Sequence, residues 1–472
     1  MKQYLLIYLL LLAVTTAAQT KDDAERNRLI AASQEGASPL FFTVDAAKVP
    51  LVSPEGFTQT GEYTLRNGLP HFFKKAAAGQ PLRVGFIGGS ITQGSWCYRL
   101  QTMRYVQSMF PAVTMKGINA GVSGTGTDLG ACRLKEQLLI HHPDLVFIEF
   151  AANGAYTDGM EGIIRQIRRY DPAIDICLIY TIYNGQTKIY AADSIPENIQ
   201  GLEKIAAYYQ LPSVQLGMQA SLLEKEGKLV WKGDTAQVHD RIVFSADGIH
   251  PLAAGGNLYA EAIARAFDSM RRMSISGNQD NSTLPAPLIA DNWEDAGMYD
   301  PQQLATFSKD WLPEVTAGSR LQQFKGWFPY VMKAEQPGAS FTFRFKGNMF
   351  GFFDIGGPEM GQLTIEVDGK AMQVAERGIK GTRLLKAVDN GGNPLINRFN
   401  NYCNNRYRGQ HELITVEPGN HTVTIRLSAD KADKHKILGN AQLEDITAHP
   451  DKYDRTVAYI GKILLRGTPL PQ

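Results

Sequence analysis

The chain has 472 residues, enough for two or three domains, each able to bury a core of its own. Its 48 Lys and Arg against 47 Asp and Glu leave a formal charge of +1, which removes the electrostatic case for a nucleic-acid or anionic-membrane partner. The four cysteines, Cys97, Cys132, Cys177 and Cys403, form no CxxC pair and no Cys/His cluster with ligand spacing, so a zinc site is not expected. The same spacing declares no disulfide, and Cys132 and Cys177 sit in apolar surroundings that suit small buried residues.

The chain begins with Lys2, an apolar run from Tyr4 to Val14 and the small-residue stretch "TTAAQT". A positive start, an apolar core too short for a bilayer and small residues near Ala18 form the pattern of a signal peptide over residues 1–18. No cysteine follows to carry a lipid, and no later segment is apolar enough to span a membrane. The expectation is an exported protein, periplasmic or extracellular, without membrane insertion. Residues 19–80 have weaker patterning and are read as an extension packing on the domain that follows.

From Arg83 to about Met273 short apolar runs ("RVGFIG", "VTMKGI", "DLVFIEF", "DICLIYTI", "PSVQL") alternate with helical stretches such as "LGACRLKEQLLIHH" and "NLYAEAIARAFDSM". Such alternation predicts a parallel sheet with helices on both faces, and an α/β domain is set at 81–273. Arg165, Arg168 and Arg169, interleaved with Ile163, Ile164 and Ile167, are read as the wet side of one of these helices. The polar stretch "MSISGNQDNSTLPAP" opens an expected linker, 274–310. Beyond it the period becomes two, in "SFTFRFKGN", "MFGFFDIG", "GQLTIEVDGK", "HELITVE" and "HTVTIRLS", with "EPGNH" read as a hairpin turn between the last two. Residues 311–472 are therefore expected to form an antiparallel β-sandwich of jelly-roll type.

The first apolar run ends in "VGFIGGSITQGS", where the strand meets two glycines and a serine. Gly85, Gly88, Gly89 and Gly94 do not match G-x-G-x-x-G, no lysine makes a P-loop, and Thr92 stands where G-x-S-x-G needs glycine. What is left is Ser90 at a strand end, the edge where parallel sheets bind ligands. A serine nucleophile needs a base, and "SADGIHPLAAGG" offers Asp247 and His250, three apart before a helix. Alone, Asp-x-x-His reads more readily as a helix cap beside a solvated histidine. Loops after the next two strands hold Gly124, in "NAGVSGTGTDLG", and Asn153, in "EFAANGAYTD". The first offers an unobstructed backbone N–H and the second a side-chain amide, the donors an oxyanion needs, although each is also an ordinary turn residue. His141 and His142 follow a helix, where a cation suits the terminal carbonyls, and His239 has only Asp240 beside it.

The ordered blocks "GGSIT", "GVSG", "AANG" and "DGIHP" resemble those of the SGNH (GDSL-like) hydrolases, and within that family a secreted bacterial branch with β-sandwich appendages. The resemblance covers 81–273. It implies a flavodoxin-like three-layer α/β/α fold and cofactor-free ester hydrolysis, with Ser90 as nucleophile, His250 as base and Asp247 orienting it. The oxyanion hole would comprise the N–H groups of Ser90 and Gly124 and the amide of Asn153. The third block departs from the family's Gly-x-Asn-Asp, since Ala151 and Gly154 hold the outer positions, which puts the anchoring of that loop in question. The stretch from Ala339 to Lys370 resembles the jelly-roll modules attached to carbohydrate esterases, which implies an acetylated carbohydrate substrate. Trp293, Trp311, Trp327 and Tyr330 are expected to fill the sandwich core or the domain interface, with sugar-stacking faces as the alternative. "NRFNNYCNNRYRGQH", with Arg398, Arg406 and Arg408, is expected as a solvated loop, the alternative being one that reaches the active site to meet an acidic sugar. A lipase or lysophospholipase and a catalytically dead glycan-binding protein stand as rival readings, and the sequence leaves the sugar and the oligomeric state open.

Overall fold

The computed structural model of the chain describes residues 40–274, 284–377 and 384–471. The expected signal peptide, most of the first half of the extension, and residues 275–283 of the expected linker lie outside the described residues. The first sheet has seven strands: β1 (Phe41–Phe42), β2 (Tyr63–Thr64), β3 (Leu82–Gly88), β4 (Met115–Gly121), β5 (Leu145–Glu149), β6 (Asp175–Tyr180) and β7 (Ser213–Gln215). Their order is β1-β4-β3-β5-β6-β7-β2. The five inner strands are parallel, and their spatial order is the flavodoxin-like 2-1-3-4-5. Val84, Phe86 and Ile87 on β3 and Val146, Phe147 and Ile148 on β5 are all fully buried, as a sheet covered on both faces requires.

The covering helices are α1 (Pro70–Ala77), α2 (Leu100–Met109), α3 (Thr127–Gln137), α4 (Thr157–Tyr170), α5 (Glu197–Tyr208) and α6 (Ala253–Ser274). Helix α6 packs with α1 and α2, while α4 packs with α3 and α5, giving the three layers. The extension before β3 does more than pack on this domain. It supplies α1 and both edge strands, β1 antiparallel on β4 and β2 antiparallel on β7.

The second sheet joins eleven strands among the described residues. Its frame is β8 (Ala296–Tyr299), β9 (Ser340–Gly356), β10 (Arg408–Leu427) and β11 (Ala458–Pro469), with β9 antiparallel to both β10 and β11, and β8 antiparallel to β11. Phe341, Phe343 and Phe345 alternate into the core with Trp311 and Phe350. From Met349 onward both faces of β9 are buried, and Phe353 and Ile355 join Trp327 and Phe328 in a cluster continuous with the core of the first domain.

Several expectations change. "EPGNH" is no hairpin turn: β10 runs through Glu417–His421, and both its halves pair with the single strand β9. The extra residues bulge out where the register jumps between Gly347 and Met349. The sheet is not wholly antiparallel, since Leu385–Lys386 lie parallel to Ile414–Thr415. The described part of 274–310 is not a free linker, because it contains β8 and, before it, a segment seated on α4. There Glu161 accepts the N–H groups of Leu288 (2.6 Å) and Ile289 (2.7 Å). Arg165 pairs with Glu294 at 2.5 Å and donates to the Pro285 carbonyl, so Arg165 and Arg168 are buried and only Arg169 stays on the wet side. The aromatic residues fill cores: Trp293, Trp311 and Trp327 are all buried, and the Tyr330 hydroxyl donates to Asp300.

Gly162 on α4 admits Trp293 so closely that a Cβ there would lie 2.5 Å from the Trp293 carbonyl carbon. Gly162→Ala should therefore lift the 284–295 segment and destabilise the fold by about 1–3 kcal/mol. Thermal denaturation followed by circular dichroism reads this as a lowered Tm, and an unchanged Tm would contradict the packing.

Candidate active site

Ser90 opens a short helical turn, Ser90–Gln93, immediately after β3. Neither Gly88 nor Gly89 has a positive φ, so the pair is not there to let the chain turn. Gly88 is required by space: a Cβ would lie 2.1 Å from Thr92 Oγ1 and 2.3 Å from the Glu149 carbonyl. Gly121, at the end of β4, is equally constrained, with the Gln93 backbone nitrogen 2.2 Å from its would-be Cβ. Gln93 Oε1 then accepts the Ser123 N–H at 2.7 Å, tying the Ser90 turn to the loop after β4.

The Asp247–His250 loop follows a small parallel pair, Leu229–Lys232 with Ile242–Ser245, which the sequence patterning did not reveal. Ser245 Oγ donates to Asp247 Oδ1 (2.9 Å) and accepts the Gly248 N–H (2.9 Å), and Trp231 Nε1 donates to the Gly248 carbonyl (2.9 Å). The loop so held aims both side chains at Ser90. His250 Nε2 lies 2.7 Å from Ser90 Oγ, and His250 Nδ1 lies 2.5 Å from Asp247 Oδ2. Burial of Asp247 alone would raise its carboxyl. The hydrogen bond and charge of His250, with the N–H groups of His250 and Ile249 on Oδ1, outweigh it and hold the carboxyl well below the usual range. Asp247 is thus an anion fixed against one imidazole nitrogen while the other faces a hydroxyl. Cys97, whose Sγ faces the Pro251 carbonyl, is no competing nucleophile, because burial pushes its thiol up to about 12.

The loops that carry the two expected oxyanion donors, Gly124 and Asn153, both meet the Ser90 turn. Gly124 has φ +73°, a conformation that a side chain disfavours. Asn153 Nδ2 lies 3.4 Å from where Gly89 would carry a Cβ. The Gly154 departure now has a cause. Gly154 has φ +60°, and a Cβ there would lie 2.5 Å from Gly126 Cα, so an aspartate does not fit. The loop is instead held through its backbone: the Gly154 carbonyl accepts the Thr127 N–H at 3.0 Å, and Thr127 Oγ1 donates to the Tyr156 carbonyl at 2.8 Å.

The second domain reaches this site. Arg408, at the start of β10, places Nη2 3.2 Å from the would-be Cβ of Gly124, with its guanidinium 4.9 Å from the Tyr402 ring centre. His411 Nε2 meets Asp128 Oδ2 at 3.4 Å, and Lys462 meets Glu136 at 3.0 Å, both across the domain junction. Arg398 is not in a solvated loop. It is buried, with Nε and Nη2 on Asp354 (3.0 and 2.7 Å) and Nη1 on Glu412 (2.8 Å). Arg406 is half-buried and donates from Nε to the Tyr402 carbonyl at 2.6 Å. Sequence reasoning missed Trp96 and Tyr183, both exposed. Each belongs to a segment packed against the His250 loop: Cys97 Sγ, next to Trp96, faces the Pro251 carbonyl, and Asn184 N–H donates to the Gly248 carbonyl. Their signal was position, six residues after Ser90 and three after β6, rather than composition.

Residues 86–258 match the model of the GDSL-like lipase/acylhydrolase family. No curated protein matches in sequence. Among solved structures, a two-domain esterase (CEX) described as active on acetylated mannans is similar, with a TM-score of 0.59 and 19% identity over 86% of this chain and 96% of that one. The same esterase co-crystallised with mannopentaose gives 0.58 and 19%, covering 85% and 95%. An acetylxylan esterase from Geobacillus stearothermophilus, Axe2, covers 40% of this chain and 95% of its own, with a TM-score of 0.31 and 20% identity. Sheet order, the Ser90–His250–Asp247 geometry and the match to the GDSL-like lipase/acylhydrolase model coincide on one stretch of chain, residues 86–258 of the α/β domain, and a β-rich second domain completes the fold.

Proposed function

We propose that the protein is an exported serine esterase that removes O-acetyl groups from a polysaccharide or oligosaccharide. The observation that carries the reading is the contact of Ser90 Oγ with His250 Nε2 at 2.7 Å, backed by Asp247 on the other ring nitrogen. Ser90 Oγ attacks the ester carbonyl as His250 takes its proton, and Asp247 stabilises the imidazolium and fixes its tautomer. The carbonyl oxygen becomes an oxyanion, which the N–H groups of Ser90 and Gly124 and the Asn153 amide stabilise. His250 returns the proton to the leaving sugar hydroxyl. Water activated by the same imidazole then releases acetate from the acyl-enzyme.

Three features support a carbohydrate ester over a lipid. The two-domain neighbours act on acetylated mannans. Flat exposed aromatic faces, Trp96 and Tyr183, adjoin the His250 loop and suit stacking on pyranose rings. A cationic side chain from the second domain, Arg408, stands over Gly124 and offers planar donors to sugar oxygens. Export rests on the signal-peptide pattern of residues 1–18.

Ser90→Ala should abolish p-nitrophenyl acetate hydrolysis while leaving the Tm unchanged, and Asp247→Asn should lower kcat by roughly 10⁴-fold by disturbing the imidazole tautomer. Turnover at the wild-type rate in Ser90→Ala would overturn the assignment. Acetate release from acetylated mannan, xylan and pectin identifies the substrate class; release from none of them, with cleavage of long-chain esters instead, favours the lipase reading. Arg408→Ala and Trp96→Ala should each raise KM for the acetylated polysaccharide about five- to a hundredfold, far more than for p-nitrophenyl acetate, since a lost charged or stacking contact costs about 1–3 kcal/mol. Equal effects on both substrates would remove these residues from sugar recognition.

A further inference from the structure

Two buried charges near Ser90 take no part in the steps above. Glu149, the last residue of β5, is 1% exposed, and Arg133, on α3, is 0% exposed. No carboxylate forms an ion pair with Arg133 among the described residues, and none of the cations pairs with Glu149. A buried charge without a counter-ion is costly, and an apolar side chain would fill either place more cheaply if packing were the purpose.

The two side chains converge on one peptide group, Arg133 by a hydrogen bond and Glu149 by close approach. Arg133 Nη2 donates to the Gly88 carbonyl at 2.9 Å, while Nη1 donates to the Ala120 carbonyl and, at 2.9 Å, to Gln137 Oε1. On the other side of the same peptide, the carboxylate of Glu149 acts electrostatically on the Gly89 N–H and, past Ser90, on the Thr92 N–H. Thr92 Oγ1 donates to Glu149 Oε2 at 2.9 Å and accepts from the Tyr98 hydroxyl at 2.7 Å, and Thr181 Oγ1 donates to Oε1. Glu149 Oε2 also lies 2.8 Å from the would-be Cβ of Gly88, so the glycine is what lets the carboxylate in.

We infer that Glu149 and Arg133 are positioning residues that clamp the Gly88–Gly89 peptide between opposite charges and thereby fix the plane from which Ser90 is presented. A cation on the carbonyl and an anion on the N–H both favour the charge-separated resonance form of the amide, so each strengthens the other's hold. Only the φ and ψ of Gly89, −84° and −148°, separate this clamped plane from the Ser90 N–H. Glycine has no side chain to restrain those torsions, and Glu149 does so by gripping the chain on both sides of Ser90, at Gly89 and at Thr92. A displacement of about 1 Å in such a group costs on the order of a hundredfold in rate.

The inference rests on the proposed role of Ser90, and the test separates the two. Glu149→Gln, Arg133→Lys and the double variant are assayed with p-nitrophenyl acetate, alongside Tm and the Gly89 amide proton shift under selective 15N-glycine labelling. Each single variant should lose roughly ten- to a hundredfold in kcat with KM within about twofold. The double variant should lose clearly less than the product of the two, because both act on one peptide. In Glu149→Gln the Gly89 amide proton should move upfield while that of Gly439, far from the clamp in sequence, stays in place. Thr181→Val, which removes one donor to Glu149 without touching the turn, is the variant for use if the others fail to fold, and should lower kcat several-fold at constant KM. Wild-type kcat in the folded variants, losses confined to KM, multiplicative losses or an unmoved Gly89 shift would each overturn the clamp. Residual full activity in Ser90→Ala would instead overturn the nucleophile assignment, leaving the Gly89 shift to report on the clamp by itself.

Discussion

The contact between Ser90 Oγ and His250 Nε2 joins residues 160 positions apart, and both ends are loops. Loops hold such a distance only when the strands behind them share a frame. Here β3 delivers Ser90, and the Ile242–Ser245 strand delivers Asp247 and His250 through a turn whose hydrogen bonds are satisfied by Ser245 and Trp231. The glycines at 88 and 121 let the Ser90 turn sit hard against the ends of β4 and β5. The rest of the α/β domain is the support that keeps these ends level.

The second domain is built onto that support. Arg466 of β11 reaches Asp291, Asp295 and the Asn292 carbonyl, residues of the segment that lies on α4. Lys462 and His411 add contacts to α3, and one apolar cluster runs through the junction. Inter-domain interfaces with a continuous core behave as fixed, whereas small polar ones permit relative motion. Arg408 therefore stands over Gly124 as part of the frame, and the floor of the site comes from one domain while part of its rim comes from the other.

The sequence carried the α/β alternation, the sheet edge where Ser90 lies and the residues that meet there, because parallel strands are continuous apolar runs and the blocks around Ser90, Gly124, Asn153 and His250 are short and ordered. It did not carry features set by partners distant in the chain. Arg165 and Arg398 read as solvated because their acids, Glu294 and the Asp354–Glu412 pair, come from elsewhere. The pair Gly88–Gly89 at a strand end has the composition of a turn, but the demand on Gly88 is the room taken by Glu149 and Thr92, which only the folded sheet assembles. "EPGNH" has the composition of a turn, and a single long partner strand overrides it into a bulge.

The two edge strands of the first sheet bear on what its rims expose. A parallel sheet of five strands ends in two rows of unpaired amides and carbonyls, each a template for another chain. Strands β1 and β2, two residues apiece, lie antiparallel on β4 and β7 and occupy the middle of the first rim and most of the second. Being so short, they offer a newcomer almost nothing to extend. The residues that seal the sheet thus precede the region of the family match, which starts at residue 86, and a domain trimmed to that region would expose two adhesive edges. In this chain, capping the rims of the sheet is a task of the segment before residue 82, where β3 begins.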